Sequence, residues 1–184
     1  MTGFDTKAEC FLRQAENKYP MPFELQHNVV FCEKAFPMTA CYEKREERYL
    51  FGIKGSVAKD NLCGEKCFFD CCEKLDEQRL GEYKVLFQRL QDELVPAEDP
   101  AHDYTLISVI LCTAGLEKKL QRKIKHTSDY RQYRGERYGW SALRLCVFDV
   151  ETETYYYNGM GKGVFECLTR DEIPQERKKL FGLF

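Results

Sequence analysis

The sequence predicts an α+β fold: a two-layer sandwich with a largely antiparallel sheet and helices packed mainly on one face. Three observations predict it. Strand-like runs cluster between residues 28 and 73 instead of alternating one by one with helices, and sustained alternation is the mark of a parallel α/β sheet. Residues 76–95 carry one apolar stripe at helical spacing. Residues 104–113 (YTLISVILCT) are apolar on both alternating sets, the pattern of a central strand covered on both faces.

In chain order, Phe4, Ala8, Phe11, Leu12, Ala15 and Tyr19 fall at helical spacing, and Pro20 and Pro22 end that helix. Residues 28–36 form a strand candidate. Residues 39–44 and 48–54 read as a hairpin turning at the polar stretch Lys44–Glu47, and residues 65–73 follow after a loop over 55–64. In the helix over 76–95 the stripe is Leu80, Tyr83, Phe87, Leu90 and Leu94. Asp76 is its N-cap, and Pro96 follows its end. A basic helix over 116–125 comes after the central strand. A strand over 141–150 and a returning strand over 154–158 complete the body. The tail 171–184 has a short helix entered at Pro174, and its Leu180, Phe181, Leu183 and Phe184 either dock on the core or hook a partner. One domain over residues 1–184 is expected.

The chain has 184 residues, 43% hydrophobic and 32% charged, with a net charge of −2. That composition is globular, and the near-neutral total excludes a strongly basic nucleic-acid binder. The ten cysteines are read through the N-terminus MTGFDTKAEC, which places Asp5, Lys7 and Glu9 where a secretory signal needs an apolar core. A cytoplasmic protein with reduced thiols is expected, with no membrane association. Cys32, Cys112 and Cys146 sit in apolar runs, where a thiol serves as a small hydrophobe.

Four constellations carry candidate chemistry. Cys63, Cys67, Cys71 and Cys72 have the residue type of a metal site. On a strand, however, residues four apart lie about 13 Å from each other, too far for one ion. Structural thiols are therefore expected, and no cofactor. The segment 118–140 mixes cations with rings: Lys119, Arg122, Lys123, Arg131, Tyr133, Arg134, Arg137 and Trp140 are the candidate nucleic-acid contacts. A solvated charged helix face is the plainer alternative. Glu98, Asp99, His102 and Asp103 have donors for a metal or for proton transfer, and equally the composition of a turn. The run NGMGKG at 158–163 lacks the first glycine and the final hydroxyl of a phosphate loop and reads as a tight turn with no strong helix after it. No Gly-x-Ser-x-Gly elbow is present.

Pro96, His102, Tyr104 and Thr105, the apolar strand after them, the basic helix, Gly139-Trp140, Arg144-Leu145 and Asp149 together resemble an uncharacterised bacterial domain family over roughly residues 78–163. The resemblance implies a bacterial cytoplasmic setting and one folded unit, and brings no catalytic motif.

The functional expectation is a non-enzymatic regulatory or interaction protein that binds a protein partner or a second copy of itself. The alternatives are a nucleic-acid module on segment 118–140, and a metal-dependent hydrolase or nuclease using residues 98–103 with Asp149 or Glu151.

Overall fold

The computed structural model describes residues 3–19, 21–49, 57–133 and 139–170. Its elements are α1 (Gly3–Glu16), β1 (Glu24–Phe31), β2 (Lys34–Tyr49), β3 (Val57–Cys71), α2 (Glu77–Leu94), β4 (His102–Thr113), α3 (Lys118–His126), β5 (Tyr130–Gln132), β6 (Trp140–Asp149), β7 (Thr154–Tyr157), a 3-10 turn (Gly159–Gly161) and α4 (Lys162–Leu168). The expected tail helix beyond residue 170 lies outside the described residues.

Among the described residues seven strands form one mixed sheet in the order β1-β2-β3-β4-β6-β5, with β7 also paired to β6. Four pairings are antiparallel: β1·β2, β2·β3, β5·β6 and β6·β7. The two central ones, β3·β4 and β4·β6, are parallel. The sheet is thus largely antiparallel by pairing, with a parallel middle that the sequence reading missed. The chain leaves β3, runs through α2 and returns as β4. It then crosses through α3 and the three-residue β5 to reach β6. Parallel neighbours require such crossovers, and the brevity of β5 hides the second one.

The alternation in β4 sorts its side chains into two cores. Ile107, Val109 and Leu111 join α2 and α3, where Leu80, Phe87, Leu90, Leu120 and Ile124 are buried. Ile110 and Cys112 join α1 and α4 through Ala8, Phe11, Ala15, Val164 and Leu168. Helices therefore cover both faces, and the expectation of helices mainly on one face is corrected. The cause was visible in β4 and β6 themselves: strands apolar on both sets need a cover on each side.

Two boundaries also moved. The expected strand over 28–36 contains a turn, since Phe31 pairs Lys34 and both Cys32 and Glu33 have positive φ, 48° and 63°. That is a two-residue hairpin loop of the kind usually written with Asn and Gly. Nor does the chain turn at Lys44–Glu47. β2 runs straight through, with Lys44 opposite Cys63 and Glu46 opposite Asn61. The expected loop over 55–64 is mostly strand, from Val57 onward.

Candidate functional site

The acidic group does not assemble. Glu98 is exposed. Asp99 Oδ1 accepts the Ala101 N–H at 2.8 Å and Oδ2 accepts from Arg45 at 2.6 Å. The Ala101 N–H, with Arg45 behind it, holds the Asp99 carboxyl below the usual range. His102 is fully buried, with Nε2 2.9 Å from Thr105 Oγ1 and its ring edge-on to Tyr133. Asp103 Oδ2 accepts from Asn61 Nδ2 at 2.7 Å. Asp149 cannot join them. It lies opposite Thr113, at the far end of β4 from His102, roughly 36 Å along the strand. There its carboxylate receives the N–H groups of Gly115, Leu116 and Glu151, each at 3.0 Å, and so closes the loop into α3. Among the described residues no three His, Cys, Asp or Glu side chains gather around a point.

The cysteines are all free thiols. Cys63, Cys67 and Cys71 lie along β3, and burial pushes the Cys67 thiol up to about 12. A groove of about 840 Å³ runs between the β1–β2 hairpin and α2. In its floor Asp70 Oδ2 accepts from Tyr83 Oη at 2.5 Å and pairs with Lys34 at 2.6 Å, and Arg89 pairs with Glu33 at 2.9 Å.

The basic and aromatic set divides. On α3, Lys119 and Lys123 both reach Glu77 of α2, at 2.8 and 2.5 Å, and these bonds draw the Glu77 carboxyl down to about 2. Arg131 pairs with Asp92 of α2. Tyr133 is buried, its hydroxyl 2.8 Å from Ser141 Oγ, which accepts Gln91 Nε2 at 2.9 Å. These four side chains tie α3 and β5 to α2. Arg122 is exposed beside β7. Arg134 and Arg137 lie outside the described residues. Trp140 points, by strand alternation, to the opposite face of the sheet from Tyr133.

There Trp140 joins a ridge that the sequence reading did not assemble. Tyr104 of β4 is its cross-strand neighbour, with ring centroids 5.5 Å apart and planes at 28°. Tyr130 of β5 stands on its other side, at 5.6 Å and 31°. None of the three rings belongs to either core, and Tyr130 is 55% exposed. Gly139 makes the placement. Its φ is +76°, and a Cβ there would strike the carbonyl oxygens of Asp103 and, at 2.5 Å, of His102. Only glycine lets the chain enter β6 so close to the start of β4. The signal in the sequence was the dipeptide Gly139-Trp140 together with Tyr104.

The run 158–163 is structural. Asn158 accepts from the N–H groups of Leu145 and Gly161 and donates to the carbonyls of Thr127 and Leu143. A Cβ on Gly161 would collide with the Leu145 carbonyl. A helix does follow, α4, but it has only seven residues, and Val164 and Leu168 are the two it buries.

A family model described as Domain of unknown function (DUF8052) matches residues 7–170. The chain belongs to this family. The DUF8052 match runs from within α1 to just beyond α4, well past the 78–163 over which the likeness was legible, and so takes in both cores and the aromatic ridge. Comparison with curated proteins and with solved structures finds no match for this DUF8052 chain. No helix among the described residues is long and apolar enough to cross a membrane.

Proposed function

We propose that this domain is a non-enzymatic interaction protein whose ridge of Tyr104, Trp140 and Tyr130 seats against another protein. The ridge is the observation that carries the reading. Three large rings stand side by side outside both cores, and tyrosine and tryptophan are enriched where protein interfaces concentrate their energy. Their near-parallel planes turn ring faces toward one another. Bases stacking on a single-strand platform need those faces open, so the ridge suits protein side chains better than nucleic acid. The nucleic-acid alternative is further weakened by Lys119, Lys123 and Arg131, whose charges are already engaged by α2. The hydrolase alternative loses its assembly, since residues 98–103 lie at the start of β4 and Asp149 of β6 lies beside its end. We read the chain as a single domain in a bacterial cytoplasm, a compartment that suits its ten free thiols.

A photo-crosslinking amino acid in place of Tyr130 tests the reading in cells. The expected result is one discrete protein adduct that disappears when Trp140→Ala is added. If the adduct is a second copy of the chain, sedimentation velocity shows a concentration-dependent dimer that the same variant abolishes. Adducts to nucleic acid, or a protein adduct indifferent to Trp140→Ala, would sink it.

A further inference from the structure

The nine residues of α3, KKLQRKIKH, contain five lysines and arginines, and packing sorts them into two groups. Leu120 and Ile124 are buried and fix which side faces the sheet. Lys119 and Lys123 flank that side and are both taken up by Glu77. At about 100° per residue, Lys118, Arg122 and Lys125 fall within about 60° of one another and extend over about 10 Å of the helix. All three are exposed, and among the described residues none has a carboxylate within ion-pair reach. Glu77 of α2 thus engages both lysines of one stripe, while the other stripe keeps its full charge.

The free stripe borders a groove of about 370 Å³ between α3 and β7, lined by Gln121, Arg122, Lys125, Tyr155, Tyr156 and Tyr157. Both walls are held in place. Gln121 donates to the Leu116 carbonyl at 2.8 Å. Tyr157 stacks on Phe165 at 4.8 Å, Tyr155 lies against Phe148 at 4.6 Å, and Tyr156 packs on the core under α2 and α3. Among the described residues β7 pairs only with β6, so it is an edge strand, and alternate backbone N–H groups of an edge strand point away from the sheet. Cations on one wall and backbone donors on the other are the elements of an anion site.

We propose that this groove binds an oligophosphate, the chain of two or three phosphates carried by inorganic polyphosphate or by a nucleoside triphosphate. Arg122 and Lys125 on the groove wall, with Lys118 further along the same stripe, match a chain of phosphates better than a single one. A nucleic-acid strand fits less well, because Tyr157 already stacks one face on Phe165 and Tyr155 leans on Phe148, which leaves fewer ring faces for bases. The site is separate from the aromatic ridge and stands or falls independently of it.

Isothermal titration of the full chain with inorganic tripolyphosphate, with ATP and with a single-stranded oligonucleotide tests the proposal. Tripolyphosphate and ATP are expected to bind one to one, more weakly as salt rises. Equal affinity identifies the phosphate chain alone as the ligand, and tighter ATP adds a nucleoside contact. Arg122→Ala and Lys125→Ala should each weaken binding about tenfold, the worth of one charge-assisted hydrogen bond. Lys119→Ala, Lys123→Ala and Trp140→Ala should leave it unchanged. The proposal is overturned by no binding at millimolar ligand, by binding of the oligonucleotide alone, or by equal losses in Lys119→Ala and Arg122→Ala.

Discussion

Arg144 of β6 reaches across β4 to Glu65 of β3, Nη1 to Oε2 at 2.6 Å, within the face that α1 and α4 cover. The two partners are not equally sheltered. The guanidinium side chain is 9% exposed and the carboxylate side chain 29%.

That asymmetry sets the order of two substitutions. Glu65→Leu strands a buried cation and should cost about 3 kcal/mol, at the level of a broken buried ion pair. Arg144→Leu leaves a carboxylate that water still reaches, and should cost about half as much. Urea unfolding of both variants measures the order. Equal costs would mean that the exposure of Glu65 does not matter.

Asn158 makes four hydrogen bonds in a buried position, holding the end of β7 to both β6 and the segment after α3. Asn158→Ala should destabilise by about 3 kcal/mol, since it strands the Leu145 N–H and the carbonyls of Thr127 and Leu143, while the Gly161 N–H keeps the backbone carbonyl of residue 158. Asn158→Asp should cost more, because it replaces the donor with a charge facing the carbonyls of Thr127 and Leu143. Equilibrium unfolding of both variants checks the ranking.

Gly139→Ala combines positive φ with a collision against backbone, and should cost at least about 2 kcal/mol. Trp140 is the one tryptophan in the chain, so its emission reports on the same residue pair. The expected spectrum is shifted to the red as the ring leaves Tyr104. Unchanged emission and stability would contradict the role given to Gly139.

Asp149 gives a pH dependence of definite sign. Burial opposes its charge, but the N–H groups of Leu116, Glu151 and Gly115 outweigh burial and hold the carboxyl below its ordinary value. Its unfolded value is about 4. The carboxyl therefore contributes fully above about pH 4, and its contribution is lost as pH falls through the lower folded value. Asp149→Asn should be less stable at neutral pH and should show a shallower acid limb. Unfolding free energies from pH 3 to 7 in the two proteins would show it.

Thiol labelling should follow burial. Cys10 is exposed, whereas burial pushes the thiols of Cys67 and Cys146 up to about 12. An alkylating agent at pH 8 should modify Cys10 first. Cys67 and Cys146 should react only when the protein unfolds, as peptide mass spectrometry would record. Early labelling of Cys67 would refute its burial in the core that α1 and α4 cover.

The legible parts of the fold were those written locally. The helix over 77–94 shows its stripe and its Asp76 cap, whose side chain accepts the Arg79 N–H at 2.8 Å. The strand over 102–113 shows its two-sided cover. The charged stretch of β2 misled because residues 43–46 are exposed although they pair with β3, so a paired strand looked like a turn. The parallel middle was hidden because it joins residues far apart in the chain. The site divided in the same way. Trp140 and Tyr130 were visible as rings in one basic segment, whereas Tyr104 comes from a distant strand. The engagement of Lys119, Lys123 and Arg131 by Glu77 and Asp92 depends on how α2 lies beside α3 and β5, and no local pattern encodes that.

The parallel middle of the sheet also bears on how the chain reaches this structure. The β1–β2 hairpin closes over two residues, whereas Leu62 must find His102 and Tyr104 must find Trp140 across whole crossovers. Such distant pairings pay their loop entropy before any contact repays it, which makes them slow. The two edges of the sheet can therefore form early, and the seam along β4 is expected to close last and to set the folding rate.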